Sequence, residues 1–222
     1  MVHSGSRGIG QAISGHHGLG DRRSASGGKS DGFAADSDHG RAYLDDVAWA
    51  RRYASASRRA MLTAVEVLFA SWFAIEVEAE TFLDCDHNHV ARETHDGIDL
   101  WVHRKGALPA HAGLPGVIPG SMGTWSAHVV GRGNPASLAS CSHGAGRVMA
   151  RGEAARRISP RAFVASLERA PRGAVFFDRG IERRLVEEAP AAYRDLDAVM
   201  RAQHDLTRLV RRVYPRLVHK GV

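Results

Sequence analysis

The sequence SCSHGAGRVMAR, residues 140–151, decides how this chain is interpreted, because it sets one histidine among small residues and two arginines. A histidine nitrogen can attack phosphorus when no bulky neighbour blocks the approach and cations neutralise the phosphate oxygens. A helix beginning after Gly146 would place Arg147 and Arg151 on one face, where both can hold phosphate. The residues predict a phosphate-handling site at His143; a glycine turn followed by two solvated arginines is the alternative.

Five further motifs have the same chemical character. They are HSGSRG (residues 3–8), HN (87–88), RKGA (104–107), PGSMG (119–123) and a Lys-Gly pair at 220–221. Small residues in such segments expose backbone N–H groups to an anion. In this order, and together with SHGAGR, the motifs resemble those of the RtcB family of RNA ligases over residues 2–221.

The resemblance implies a GTP- and Mn²⁺-dependent RNA ligase. In RtcB-type enzymes the histidine of SHGAGR, here His143, is guanylylated by GTP, and GMP then moves to an RNA 3′-phosphate that a 5′-hydroxyl attacks. Such ligases join a 3′-phosphate or 2′,3′-cyclic phosphate to a 5′-hydroxyl in tRNA splicing or RNA repair. The implied partner is therefore RNA, as tRNA halves or broken ends.

Family motifs also assign site residues to positions of this sequence. The family's manganese is held partly by histidines that correspond to His3 and His87. Residues matching the guanine-nucleotide contacts are His87, Asn88, Pro119, Gly120, Ser121, Met122, Ser126, His143, Gly144, Ala145, Gly146, Tyr193 and Lys220. Residues matching arginines that face the RNA phosphates are Arg7, Arg147 and Arg151.

Some family segments have no match in this sequence. Ahead of HSGSRG the family carries an aspartate, a bridging cysteine, a further histidine and a glutamate that recognises guanine. A metal site left with His3 and His87 is expected to bind manganese weakly. Three functions stay open: a ligase, of which this chain is a fragment or which a separate N-terminal segment or an activating protein completes; a catalytically incompetent RNA-binding remnant; and a metal-dependent phosphohydrolase.

Composition is that of a soluble globular protein. The 222 residues are 44% hydrophobic and 24% charged, which argues against disorder. The two cysteines, Cys85 and Cys141, suggest no disulfide framework and are expected to be reduced, packed residues of a cytoplasmic protein. The most apolar run, residues 67–75, is too short to span a bilayer and predicts a buried helix. No membrane association or export signal is expected.

Positive charge is concentrated in the last third of the chain. Residues 1–143 hold 13 Lys and Arg against 15 Asp and Glu, whereas residues 144–222 hold 17 against 9. This distribution favours a polyanionic partner, because neutralised phosphates release counterions. A compositional cause stays open, since 27 of the 30 cations are arginine, as a GC-rich genome would produce.

The hydrophobic pattern predicts a mixed α/β (α+β) fold, the C-terminal part of an RtcB-like fold, as one partial domain over residues 1–222. Residues 15–40 are rich in Gly, Ser and Asp and predict a flexible loop. Three- and four-residue apolar spacing predicts one or two helices over 42–77 and a C-terminal helix over 193–213, stopped by Pro215. Strands are predicted at 99–103, 116–118 and 126–130.

Overall fold

The protein is described by a computed structural model that covers residues 1–18, 33–76, 78 and 82–221. Within these residues the helices are α1 (Ile9–His16), α2 (Asp38–Phe73), α3 (Arg151–Arg157), α4 (Pro160–Glu168), α5 (Glu182–Leu185) and α6 (Leu196–Ala202). The strands are β1 (Asn88–His95), β2 (Ile98–Lys105), β3 (Ala107–Pro109), β4 (Pro115–Ile118), β5 (Ser126–Gly131), β6 (Ser140–Ser142), β7 (Phe176–Phe177), β8 (Thr207–Val213) and β9 (Leu217–Val218). The predicted mixed α/β class is confirmed. Contacts divide the chain into a first unit, residues 1–84 with 89–91, and a second unit, residues 85–88 with 92–222.

The first unit consists mainly of α1 and the long helix α2. Ser37 caps α2 by accepting a hydrogen bond from the Gly40 N–H at 3.0 Å. Gly40 is required there, because a Cβ atom at this position would lie 2.1 Å from the Ala34 carbonyl oxygen. The predicted helix is confirmed as one element, which ends at Ala74 in a left-handed conformation.

The burial predicted for residues 67–75 is wrong. The segment is helical up to Phe73, but Trp72 is 70% and Phe73 61% exposed. Hydrophobic content alone predicted burial, whereas burial also requires a partner face on a neighbouring element. In the described part of the chain, no helix is both long enough and apolar enough to cross a membrane.

The second unit is built on small sheets. The largest has the antiparallel order β4-β5-β8, β3 pairs with β6, β1 with β2, and β7 runs parallel to β9. The strands predicted at 99–103, 116–118 and 126–130 are confirmed as parts of β2, β4 and β5.

Two hydrophobic clusters lie inside the second unit. The first surrounds Ile118 and Ala127 of the main sheet, which are fully buried, and the second surrounds Phe163 and Leu167 of α4. Cys141 is buried in the first cluster and Cys85 packs against it, so both are packed residues, as predicted. Burial raises the pKa of the Cys141 thiol to about 11, which keeps it protonated and unreactive at neutral pH.

One helix prediction in this unit is wrong, and the helix start considered for the two arginines is not met. The predicted helix over 193–213 is only the seven-residue α6, and Thr207–Val213 is instead strand β8, paired with β5. Its apolar residues fit helical and alternating spacing alike, and strand pairing decides between the two. A helix does not begin after Gly146 either, because α3 starts at Arg151. Arg147 and Arg151 therefore do not share a helical face.

The loop predicted over residues 15–40 falls mainly on 19–32, outside the described residues. At both ends of the predicted loop the described residues are helical instead. Residues 15 and 16 complete α1, Gly18 adopts a φ of +68°, and residues 38–40 begin α2.

Candidate active site

Strand pairing brings the RKGA and SHGAGR motifs together in the second unit. Ala107 of β3 lies opposite Ser142 of β6. The residues that flank this pair, Gly106 and His143, therefore become neighbours. Gly106 has a φ of +69°, and a Cβ atom here would lie 3.3 Å from both Cε1 and Nδ1 of His143. Glycine thus serves two purposes, since it permits the left-handed turn and leaves room for the imidazole ring.

His143 is oriented by a backbone carbonyl group. Its Nδ1 lies 2.7 Å from the Gly106 carbonyl oxygen. A carbonyl oxygen can only accept a hydrogen bond, so Nδ1 must carry the proton and donate it. In the neutral ring the lone pair then resides on Nε2. The geometry therefore leaves Nε2 as the nucleophilic atom of the predicted catalytic histidine.

The HN motif supports the same turn from the other side. The Gly106 N–H donates to the His87 carbonyl oxygen at 2.7 Å and to the Asn88 side-chain oxygen at 3.0 Å. The His87 and His143 rings lie 4.6 Å apart, centroid to centroid. Burial and then the proximity of His143 lower the pKa of His87, so its imidazole is neutral near pH 7. A neutral imidazole is the form that binds a metal ion.

The PGSMG turn packs against the HGAG turn. The Ala145 N–H donates to the Pro119 carbonyl oxygen at 3.1 Å, and a Cβ atom on Gly144 would lie 3.2 Å from the same oxygen. Within the turn, the Gly120 N–H donates to the Ser126 hydroxyl at 3.4 Å. The predicted nucleotide residues of these two motifs thus lie side by side.

The remaining residues of the PGSMG turn are fixed locally. The Ser121 N–H donates to the Thr124 hydroxyl at 2.7 Å, and the two hydroxyl oxygens lie 3.0 Å apart. Met122 is 4% exposed and belongs to the cluster around Phe163. Met122 therefore anchors the turn in the protein interior.

A second group of predicted site residues gathers around Glu188. Tyr193 donates to Glu188 at 2.5 Å, and Lys220 Nζ lies 3.6 Å from the same carboxylate. Arg147 donates to the Tyr193 hydroxyl at 2.9 Å and to the Glu187 carbonyl oxygen at 2.6 Å. Its guanidinium group also lies 4.8 Å from the centre of the Tyr193 ring. Arg147 is thus held by hydrogen bonds to protein groups, whereas Arg151, 69% exposed at its side chain, lies 3.6 Å from the Glu187 carboxylate.

Burial and hydrogen bonding set the charges in this group. Burial opposes ionisation of Glu188, but the Tyr193 hydrogen bond and the charges of Lys220, Arg147 and Arg151 together keep its pKa below the usual value. Burial and the bond to Glu188 raise the pKa of Tyr193 to about 12. At neutral pH the carboxylate is therefore charged and the phenol is not.

Three residues that support the site had no role assigned to them from the sequence. Glu188 is the acceptor of the group just described. The buried Gln203 accepts a hydrogen bond at 3.0 Å from the N–H of Ser142, the residue before His143. The buried Arg104 donates to Glu93, Ser140 and Leu138 and thereby holds the start of β6. Arg104 belongs to the RKGA motif, whereas Glu188 and Gln203 lie in none of the six motifs.

His3 and Arg7, also predicted site residues, belong to the first unit. Both are exposed, and Arg7 has a φ of +58°, unusual for a residue other than glycine. The HSGSRG segment is held by Arg58, which donates to the Ser4 carbonyl oxygen at 3.1 Å and pairs with Asp84 at 2.6 Å.

Known proteins are similar to this chain over nearly its whole length. Residues 1–221 match the family model described as tRNA-splicing ligase RtcB. The chain is 38% identical to the RNA-splicing ligase RtcB of Escherichia coli over 95% of its own length and 53% of that protein. It is 38% identical to the Mycobacterium tuberculosis protein of the same name, over 100% of this chain and 56% of the relative. It is 35% identical to the tRNA-splicing ligase RtcB of Pyrobaculum aerophilum, over 93% of this chain and 48% of the relative.

The chain spans about half the length of the curated relatives it matches. The aligned region includes the six motifs, four of which the second unit brings together around His143. The chain belongs to the RtcB family.

Proposed function

We propose that this chain carries the nucleotide-transferring centre of an RNA ligase, with His143 as the residue that takes GMP from GTP. The observation that carries the proposal is the 2.7 Å hydrogen bond between His143 Nδ1 and the Gly106 carbonyl oxygen. A fixed tautomer with its lone pair on Nε2 is what nucleophilic attack on phosphorus requires. Small residues on both sides of His143 keep the approach open.

The first step forms a bond between Nε2 of His143 and the α-phosphorus of GTP. The bond from that phosphorus to the bridging oxygen breaks, and pyrophosphate leaves with the electron pair. The imidazole ring becomes positively charged, while Nδ1 keeps its proton and donates it to the Gly106 carbonyl oxygen. That carbonyl group therefore stabilises the positive ring as it forms, in the way a triad acid supports its histidine.

In the second step an RNA 3′-phosphate oxygen attacks the same phosphorus and the N–P bond breaks. His143 returns to its neutral form with Nδ1 still bonded to Gly106. A 5′-hydroxyl then attacks the activated 3′-phosphate, a phosphodiester bond forms, and GMP leaves with the proton of the hydroxyl group. Each step exchanges one bond at phosphorus for another, so no oxidant or further reactant is needed.

The donor set near His143 is compatible with manganese. His87 is held neutral by burial, and imidazole nitrogen suits divalent transition metals. His87 would hold Mn²⁺ in the second unit, and His3 is the corresponding residue of the first. When bound, Mn²⁺ acts as a Lewis acid that neutralises charge on phosphate oxygens. The ligands that the family carries ahead of the HSGSRG motif would complete the set.

Labelled GTP tests the proposal. The purified chain is incubated with Mn²⁺ and GTP carrying ³²P at the α-phosphate, and bound label is measured after acid and after base treatment. A phosphoramidate is labile to acid and stable to base, so the label should show that pattern and be lost in His143→Ala. His204→Ala is the matched control, because His204 is another histidine of the same unit and is exposed. Label that persists in His143→Ala would overturn the proposal.

The positive last third of the chain favours a second candidate, an RNA-binding remnant. Residues 144–222 carry 17 cationic against 9 acidic side chains, and neutralised phosphates release counterions. Such a protein would bind RNA with an affinity that falls steeply as salt rises, and would take no label from GTP. Label on His143 eliminates this candidate, whereas RNA binding without label refutes nucleotidyl transfer by the chain alone.

A further inference from the structure

The first unit contains a histidine and carboxylate cluster that the proposed ligation chemistry does not use. His16, His17 and Asp46 each offer one ligand atom, and these atoms all lie within 4.8 Å of one another. A Zn²⁺ ion with bonds of about 2.0–2.2 Å holds neighbouring ligand atoms roughly 3.4 Å apart. The cluster therefore needs only a small movement of the exposed His16 side chain to surround an ion.

Local structure explains why these side chains meet. His16 is the last residue of α1, and His17 follows as its C-cap. Gly18 closes the helix end with a φ of +68° and donates its N–H to the Gly15 carbonyl oxygen at 3.1 Å. On α2, His39, Tyr43 and Asp46 are spaced by four and three residues, so they share one face. All three side chains on that face contact the buried His17 ring.

His17 has the surroundings of a metal ligand. Its side chain is 2% exposed, and its Nε2 lies 2.9 Å from an Asp46 carboxylate oxygen. The other ring nitrogen, Nδ1, lies 3.3 Å from Nε2 of His39. Metal-binding histidines almost always use their second nitrogen in such an outer hydrogen bond, which fixes the ring. Asp46 is 48% exposed at its side chain, so water can complete the coordination shell.

We propose that His16, His17 and Asp46 form a zinc site, with His39 as the outer hydrogen-bonding partner of His17. Two imidazole nitrogens and one carboxylate oxygen, with a water in the fourth position, are a usual ligand set for Zn²⁺. The site joins the end of α1 to the first turns of α2. The expected consequence is stabilisation of the first unit by zinc, because the ion binds the folded arrangement.

Zinc binding should also change the tautomer of His17. Without an ion, the Asp46 carboxylate accepts the Nε2–H of His17, and Nδ1 accepts a hydrogen bond from His39. With an ion on Nε2, the proton must lie on Nδ1, which then donates to His39. Imidazole ¹⁵N chemical shifts distinguish the two tautomers.

The experiment compares zinc binding by the full chain and its variants with isothermal titration calorimetry. Asp46→Asn and His16→Ala replace exposed or half-exposed ligands and should fold, which circular dichroism checks. Each should weaken this Zn²⁺ site by more than about 100-fold, because loss of even an outer partner weakens binding about 10- to 100-fold. His39→Ala should fall within that smaller range.

Asp45→Asn is the matched control, since Asp45 is the exposed neighbouring carboxylate on the same helix. It should bind zinc like the unaltered chain, including any zinc held elsewhere in the protein. Equal stoichiometry and affinity in Asp45→Asn and Asp46→Asn would overturn the proposal, and so would a His17 ring that stays in the Nε2–H form at saturating zinc. Neither result depends on whether His143 takes label from GTP.

Discussion

Replacing Gly106 with alanine tests how closely the backbone turn and the His143 ring depend on each other. A non-glycine residue at φ +69° costs roughly 1–2 kcal/mol in backbone energy. The new Cβ atom would also lie 3.3 Å from two atoms of the His143 ring, which must then move by a few tenths of an ångström. That movement weakens a hydrogen bond worth about 0.5–1.5 kcal/mol. We expect the free energy of unfolding to fall by about 2–3 kcal/mol.

Gly97→Ala separates the two effects. Gly97 has a φ of +77°, but a Cβ atom there would meet nothing within 4 Å. Its replacement should therefore cost only the backbone contribution of about 1–2 kcal/mol and leave His143 unchanged. Urea unfolding gives both free energies, and imidazole ¹⁵N shifts show whether Nδ1 of His143 keeps its proton. Equal destabilisation by the two variants, with the His143 tautomer unchanged in both, would refute the reasoning.

Three more predictions concern side chains around the site. Arg104→Ala should lower the free energy of unfolding by about 3–5 kcal/mol in urea, because it leaves the Glu93 carboxylate without its main partner; a loss below about 1 kcal/mol would contradict this. Hydrogen bonds from Arg104 hold the pKa of Glu93 at about 2, against an unfolded value near 4.5. Stability from this group is therefore complete above pH 4.5 and is lost as pH falls towards 2, and Glu93→Gln should flatten that part of the stability profile. Tyr193→Phe should cost about 1–3 kcal/mol, since Glu188 loses a partly buried hydrogen bond, and an unchanged unfolding midpoint would argue against it.

The family motifs could be recognised from the sequence more reliably than the elements that carry them. The motifs were recognisable because a histidine with small neighbours and cations in close order forms a distinctive sequence pattern. The meeting of RKGA with SHGAGR was not predictable, since it depends on the register of β3 with β6. Gln203 illustrates the same limit, because its hydrogen bond to Ser142 spans 61 residues of sequence.

The errors in the fold have physical causes. Thr207–Val213 carries β-branched residues in a pattern that suits both a helix and a strand, and its pairing with β5 decided for the strand. Residues 67–75 were predicted as buried because they are apolar, yet Trp72 and Phe73 are exposed. Both cases depend on which neighbour an element finds, and hydrophobic periodicity carries no information about that neighbour.

The most direct test of the central claim is to locate the guanylyl group after reaction with GTP and Mn²⁺. Tandem mass spectrometry of the peptides identifies the modified residue, and ¹⁵N–³¹P coupling in a labelled sample identifies the nitrogen. The orientation of His143 by Gly106 predicts a single adduct on Nε2 of His143. An adduct on Nδ1, on Lys220 or on another histidine would contradict the account.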